Sequence, residues 1–159
     1  CIRDRVPSAY LSIVGTFRTK NFENNIRNLI EELDLQRSVM IAEQVPHSQI
    51  WEIINKHRVG VIPFRRTPLT EENTPTKLFE MMICGLELVV SKLPPAQFFL
   101  NNSVHWCNPD NINSISRSLI SALNMKDDLS NIYENRRLIK EKYNWEKKQK
   151  DYLTLFKTQ

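Results

Sequence analysis

Short apolar runs alternate with helix-period segments along most of this sequence, and that alternation limits the folds it can adopt. Four of the runs are strand-like: residues 9–14, 39–42, 59–63 and 88–90. Between them, apolar side chains recur at the three- and four-residue spacing of amphipathic helices. Parallel strands need long crossover connections, which such helices supply. The sequence therefore predicts an α/β fold, a doubly wound parallel sheet with helices on both faces.

The segments outside these runs complete the prediction. Residues 104–106 are a fifth strand candidate, and residues 64–73 are predicted to form a polar loop. After the last strand the pattern is helical, with one helix starting at residues 108–110, one running from about residue 128 to residue 142, and one opening at Trp145. We expect the 159 residues to form a single domain.

The segment at residues 72–91, ENTPTKLFEMMICGLELVVS, combines a loop, a helix and a strand. Thr74 and Pro75 are a helix-start signal, in which the threonine caps the helix and the proline occupies its first turn. The helix is apolar nearly all round, except that Lys77 and Glu80 share one face. The residue pattern gives the Glu80 carboxylate no partner within the chain. A glycine then ends the helix.

The composition is that of an ordinary soluble globular protein, with 41% hydrophobic and 25% charged residues. No run approaches the roughly 18 apolar residues that a membrane span requires. The net charge of +4 is concentrated near the C-terminus, where 9 basic and 6 acidic residues occur from Lys126 onward. A basic helical tail is one route to nucleic acid or anionic lipid, but the interleaved acidic residues favour a solvated helix face.

The cysteines and histidines indicate no structural or metal framework. Cys1, Cys84 and Cys107 form no Cys-x-x-Cys pair, the three histidines lack metal-ligand spacing, and no Asp-x-Asp occurs. These patterns predict neither disulfides nor a protein-built metal site. We therefore expect reduced, cytosolic thiols and no metal cofactor.

Ligands of open parallel sheets bind in the crevice beyond the carboxyl ends of the strands. Four segments form that rim: residues 15–20, 43–46, 64–75 and 91–95. The sequence contains neither Gly-x-Gly-x-x-Gly nor a Walker A loop, which excludes the usual dinucleotide-binding and P-loop phosphate-binding motifs. The helix start at residues 74–76 suits a phosphate, because its N–H groups are free and its dipole end is positive. Lys77, Arg65 and Arg66 are near enough in sequence to add charge.

These residues resemble a known family. Glu72, seven intervening residues and Glu80 are similar to the E-x7-E segment in the nucleotide-sugar-binding C-terminal domain of retaining GT-B glycosyltransferases, of the glycosyl transferases group 1 type. Further landmarks follow the order of that family: the strand ending at Gly15, the strand and Val-Pro turn at 39–46, the strand at 61–64, and Tyr143-Asn144-Trp145.

The resemblance implies a role for each matching residue. Glu80 would bind the ribose hydroxyls of the donor, and Glu72, as the catalytic residue, would meet hydroxyls of the transferred sugar. The diphosphate would be held by the helix start, at Asn73, Thr74, Thr76 and Lys77. From its position in the sequence, we expect Arg65 to add charge there. Gly15 and Thr16 would approach the donor or acceptor, and Val45 would lie beside the nucleobase.

The implied reaction is metal-independent transfer of a sugar from a nucleotide diphosphate sugar to a glycan or lipid-linked acceptor, as in polysaccharide biosynthesis. The resemblance also implies a cytoplasmic enzyme, or one at the inner face of the membrane with peripheral membrane contact. The acceptor would bind an N-terminal domain missing from this chain, and residues 143–159 would form a terminal helix crossing toward it. No nucleic acid partner is expected.

The sequence departs from the family pattern at three places. Glu87 stands where the family has proline, and Glu43 where it has glycine. The family domain also begins with one further strand and helix, whose loop carries an arginine and a lysine that clamp the diphosphate. Here residues 1–7 are similar to the end of that helix. We therefore expect the chain alone to be inactive and at best a weak donor binder.

Other interpretations of the same residues stay open. The chain could be a non-catalytic α/β binding or scaffold domain that has kept the fold. Glu71 and Glu72 could be solvated loop residues, and Lys77 with Glu80 could be an ordinary helix pair contributing about 0.2 to 0.5 kcal/mol. Arg65 and Arg66 could likewise be merely solvated. Nucleic acid binding by the basic tail predicts an affinity that falls steeply with salt.

Overall fold

The computed structural model describes residues 2–100, 103–125, 128–154 and 156. These residues fall into two units, one up to Ile50 and one from Trp51 onward. The strands of each unit are parallel, and helices connect them, as the alternation of apolar patterns predicts. The α/β fold class is therefore confirmed.

The first unit contains two strands and the helices that follow them. Its elements are α1 (Ile2–Arg5), β1 (Leu11–Val14), α2 (Lys20–Glu32) and β2 (Val39–Ala42), and α3 (His47–Ile54) comes next in the chain. Strand β1 pairs with β2 in parallel, from Leu11 opposite Val39 to Val14 opposite Ala42. Helix α2 begins after Thr19, whose hydroxyl oxygen accepts a hydrogen bond of 3.2 Å from the Phe22 amide.

The second unit contains a three-stranded parallel sheet in the order β3-β4-β5. Its first elements are β3 (Val59–Ile62), α4 (Pro68–Glu72), α5 (Thr76–Cys84), β4 (Glu87–Ser91) and α6 (Pro94–Phe99). They are followed by β5 (His105–Cys107), α7 (Ile112–Asn124), α8 (Ser130–Glu141) and α9 (Trp145–Thr154). In a parallel unit of this kind, α4 and the start of α5 lie at the carboxyl edge of the sheet.

The core of the second unit surrounds the central strand β4, all five residues of which are buried. On one face, Val89 packs in a cluster with Cys107 and Ala122, and side chains of β3 and α7 close around that cluster. On α5, Leu78 and Met82 are fully buried. A Cβ at Gly60 would lie only 2.5 Å from the Met81 sulfur, so glycine there lets α5 pack closely against β3.

Two local predictions around residues 64–75 are wrong. The predicted polar loop contains the short helix α4, so Glu71 and Glu72 are helical residues. Thr74 does not cap α5, because the helix begins one residue later than expected and Pro75 itself occupies the N-cap position, without a side-chain hydrogen bond. Strand β2 has the predicted bounds, and other boundaries differ from the predictions by a few residues, as in β5, which begins at His105.

The C-terminal prediction is met in part. Trp145 opens α9 as expected. Position 155 and positions 157–159 of the predicted terminal helix, together with Cys1, lie outside the described residues. The crossing of this segment toward another domain stays a prediction, as does the single domain. Among the described helices, none is long and apolar enough to span a membrane.

Candidate functional site

Helix α4 is stabilised at its start by a local capping arrangement. The Thr67 hydroxyl accepts a hydrogen bond from the Thr70 amide, and the Thr67 amide donates in return to the Thr70 hydroxyl, at 3.2 and 2.9 Å. Pro68 fills the first helical position, where a missing N–H costs nothing. This capping box fixes the short helix whose last residue is Glu72, an exposed carboxylate.

Helix α5 carries the second carboxylate and most of the predicted phosphate ligands. It starts at Thr76, so the Thr76 and Lys77 amides belong to the first turn, whose N–H groups have no acceptor within a helix. Both of these residues are exposed, whereas Asn73, in extended backbone, and Thr74 precede the helix. The structure thus places the predicted phosphate ligands at the positive end of α5.

Glu80 lies just over one turn into α5 and is half-buried. Burial raises the pKa of the neighbouring Cys84 thiol, Arg136 lowers it, and the Glu80 charge raises it further. Glu80 also makes another interaction within the protein. The expectation that this carboxylate lacks a partner within the chain is therefore wrong.

A small cleft opens at the carboxyl ends of β3 and β4. Residues that line it include Ile62, Phe64, Asn73, Pro75, Leu93 and Pro95. They come from the exit of β3, the approach to α5 and the exit of β4. The structure therefore brings the E-x7-E segment to the sheet edge at which ligands of such folds bind.

The two adjacent arginines of this edge are engaged with carboxylates. Arg65 Nε lies 3.2 Å from Asp110 Oδ1, and Arg66 Nη1 lies 2.6 Å from Glu71 Oε1. All four side chains are more than one-third exposed. Asp110 was not anticipated from the sequence, although the Asn-Pro-Asp turn that carries it was identified there as a helix start.

The predicted site residues of the first unit lie at one edge of its sheet. Gly15 and Thr16 directly follow β1, and Val45 follows β2 by three residues. The Gly15 amide donates to the Ala42 carbonyl at 3.1 Å, and its φ of 141° is a conformation that favours glycine. Thr16 is exposed and Val45 is half-buried.

A buried polar group whose contacts the sequence did not predict lies at the opposite end of β4. Glu87, only 2% exposed, places Oε2 at 3.2 Å from His105 Nε2 and at 3.1 Å from Asn131 Nδ2. Its Oε1 has no hydrogen-bond partner among the described residues. Because Glu87 is the first residue of β4, it joins β4, β5 and α8 on the side of the sheet away from the cleft.

The sequence profile of the family described as glycosyl transferases group 1 matches residues 2–145. The chain belongs to the glycosyl transferases group 1 family. The resemblance to this family, stated from Glu72, Glu80 and the surrounding landmarks, is therefore confirmed. A search of curated proteins found no match.

Solved structures share the fold of this chain. A sucrose-phosphate synthase from Thermosynechococcus elongatus matches with a TM-score of 0.77 and 19% identity, over 99% of this chain and 41% of that protein. HepE of Anabaena, in complex with UDP and glucose, matches with a TM-score of 0.80 and 12% identity, over 99% of this chain and 44% of HepE. A glycosyltransferase from Rickettsia africae matches with a TM-score of 0.79 and 16% identity, over 94% and 39%. The chain thus spans less than half the length of each.

Proposed function

We propose that this chain binds the donor, a nucleotide diphosphate sugar, in a retaining glycosyltransferase that needs no metal ion. The observation that carries the proposal is the placement of the E-x7-E segment. Glu72 ends α4, Glu80 lies within α5, and the start of α5 opens at the carboxyl edge of a parallel sheet. That placement agrees with membership of the family.

Glu80 is proposed to bind the ribose of the donor. An ionised carboxylate accepts hydrogen bonds from two adjacent hydroxyls, and charge-assisted bonds of this kind contribute about 1.5 to 3 kcal/mol each. Half-burial removes part of the competing water. Glu72 is exposed at the end of α4 and is proposed to meet hydroxyls of the transferred sugar.

The start of α5 is proposed to hold the diphosphate. The Thr76 and Lys77 amides, the Lys77 ammonium group, and the residues Asn73 and Thr74 supply donors there. When the glycosidic bond breaks, negative charge develops on the leaving diphosphate, and oriented N–H groups at a helix start stabilise that charge. Gly15, Thr16 and Val45 in the first unit keep the roles that the resemblance implies.

The proposed donor class is a uridine diphosphate sugar, because structures of the similar HepE contain UDP and UDP-glucose. The proposed acceptor is a glycan or a lipid-linked sugar in polysaccharide biosynthesis, with the enzyme in the cytoplasm or at the inner face of the membrane. These finer assignments rest on the resemblance.

Titration of the isotope-labelled 159-residue chain with UDP, GDP and ADP, followed by NMR, tests the proposal. NMR detects millimolar binding, which suits a chain expected to bind weakly. UDP should shift amides of Thr76 and Lys77 at lower concentrations than GDP or ADP, with or without EDTA. If the α5 amides are shifted neither by these nucleotides nor by their sugar conjugates, the donor-binding function is wrong and a scaffold role is favoured.

A further inference from the structure

The ion pair between Arg65 and Asp110 spans the carboxyl end of β4. Arg65 follows β3 by three residues, and Asp110 follows β5 by three residues. Because β4 lies between β3 and β5 in the sheet, a contact between the two exit loops must pass over the end of β4. That is the edge at which the start of α5 opens.

Both loops that carry the pair are fixed by local hydrogen bonds. The Thr70 hydroxyl donates to the Arg65 carbonyl at 2.6 Å, which ties this residue to the capped end of α4. The Asp110 amide donates to Asn108 Oδ1 at 3.0 Å, and the Asn108 amide donates to the Ser114 hydroxyl at 3.0 Å. The two charged groups are therefore presented by defined backbone.

The mode of contact differs between the two arginines. Asp110 contacts Arg65 through Nε, which leaves the four N–H groups on the terminal nitrogens. Within the described part of the chain, those terminal nitrogens make no other ion pair or hydrogen bond. Arg66 instead uses a terminal nitrogen, Nη1, for its contact with Glu71. Of these two arginines, Arg65 is the one that keeps both terminal nitrogens for bidentate binding of an oxyanion.

The pair contributes little as a stabilising element. The Arg65 side chain is 78% exposed and that of Asp110 is 63% exposed, and exposed ion pairs add little to folding. A contact that orients a guanidinium without occupying its fork has a clearer use in binding.

We propose that Asp110 is a positioning residue for the donor diphosphate. Its carboxylate lies 3.2 Å from Arg65 Nε and draws the guanidinium over the end of β4, where the terminal nitrogens can bind phosphate oxygens at the start of α5. This inference rests on the proposed function, because it assigns a further residue to the same donor site.

The test is calorimetric or NMR titration of the 159-residue chain with UDP and, separately, with inorganic pyrophosphate, which needs no nucleoside site. Asp110→Asn should lower the affinity for both ligands about two- to fivefold, the range expected for loss of one exposed charge contact. Asp110→Glu should restore part of the affinity. The matched control, Glu71→Gln, which also removes one negative charge, should bind as the wild type does.

A double-mutant cycle separates positioning from a merely structural role. In an Arg65→Gln background, Asp110→Asn should cause no further loss of affinity, because its effect passes through Arg65. An equal loss in both backgrounds overturns the inference. So does wild-type affinity of Asp110→Asn for UDP and pyrophosphate, which leaves the proposed donor function standing. If the wild type binds neither ligand, this inference fails, and the donor function fails with it when GDP, ADP and the sugar conjugates also leave the α5 amides unshifted.

Discussion

The guanidinium of Arg136 lies in the space that a Cβ at Gly85 would occupy. Such a Cβ would be 2.7 Å from Cζ, Nε and Nη2 of the arginine. From this position Arg136, on α8, donates to the Ile83 carbonyl at 3.2 Å and to the Cys84 carbonyl at 3.0 Å. A cation from α8 thus caps the negative end of α5, and the contact requires glycine at position 85.

Substitution of Gly85 by alanine should lower the free energy of unfolding by about 1 to 3 kcal/mol, because φ is 78° and the new methyl displaces Arg136. Urea denaturation measures the effect. In an Arg136→Ala background the same substitution should cost less, since only the backbone strain remains. An equal cost in both backgrounds would show that the two residues are not coupled.

Replacement of Glu80 by glutamine should weaken UDP binding about 10- to 100-fold, because a neutral amide loses the charge-assisted bonds proposed for the ribose. Titration followed by NMR measures the change, and thermal unfolding verifies that the variant is folded. Glu71→Gln is the matched control, since Glu71 pairs with Arg66 and has no proposed contact with the donor. Equal affinities for the two variants would remove Glu80 from the site.

Removal of the Glu87 carboxylate should destabilise the second unit. Glu87→Ala leaves His105 and Asn131 without their shared acceptor in a nearly closed environment, which typically costs about 1 to 3 kcal/mol. Glu87→Gln should cost less, because one amide oxygen can still accept. Chemical denaturation measures both, with the exposed Glu52→Ala as a control. Stability equal to that of the control would contradict the bridging role.

The two threonine–proline pairs should respond differently to substitution. Thr67→Ala removes the capping box of α4 and should cost about 1 kcal/mol, together with some affinity for the donor. Thr74→Ala should leave stability unchanged within error, because Thr74 caps no helix. Thermal unfolding of both variants tests this contrast. A larger loss of stability for Thr74→Ala than for Thr67→Ala would indicate that Thr74 does cap α5.

Alkylation of the buried Cys107 thiol should be slow in the native state. Burial raises the pKa of the Cys107 thiol, only partly opposed by the Ser91 hydroxyl, and Cys107 is 4% exposed. A raised pKa keeps the thiol neutral at a pH where a free thiol has begun to ionise, and the thiolate is the reactive form. Peptide mapping after iodoacetamide treatment should show much faster labelling of Cys107 in urea. Similar rates with and without urea would rule out this burial.

Local patterns predicted the parallel α/β fold well, because strands such as β2 are continuous apolar runs and helices such as α2 have a clear period. They failed where two segments share one signature. Thr67-Pro68 and Thr74-Pro75 look alike, yet only Thr67 caps a helix, because Thr70 reciprocates its hydrogen bond. Helix α4 has only five residues and no apolar period to reveal it.

Other features depended on contacts between residues far apart in the sequence. Glu87 and Asn131 are 44 positions apart, and Arg65 meets Asp110 across the sheet. Neither pairing has a local signature, because both arise only when the strand order is established. The E-x7-E segment could be found because its two carboxylates belong to one continuous stretch of chain.

The cap at Gly85 places the positive charge of Arg136 at one end of α5, away from the N–H groups at the other end. The helix has nine residues and is therefore about 13 Å long, more than the roughly 8 Å over which salt screens charge at physiological ionic strength. The positive charge of Arg136 thus steadies the helix from one end, and salt in the solvent weakens its effect at the other. Attraction of the proposed donor, and its sensitivity to salt, should depend mainly on the peptide dipoles of the first turn and on the cations beside them.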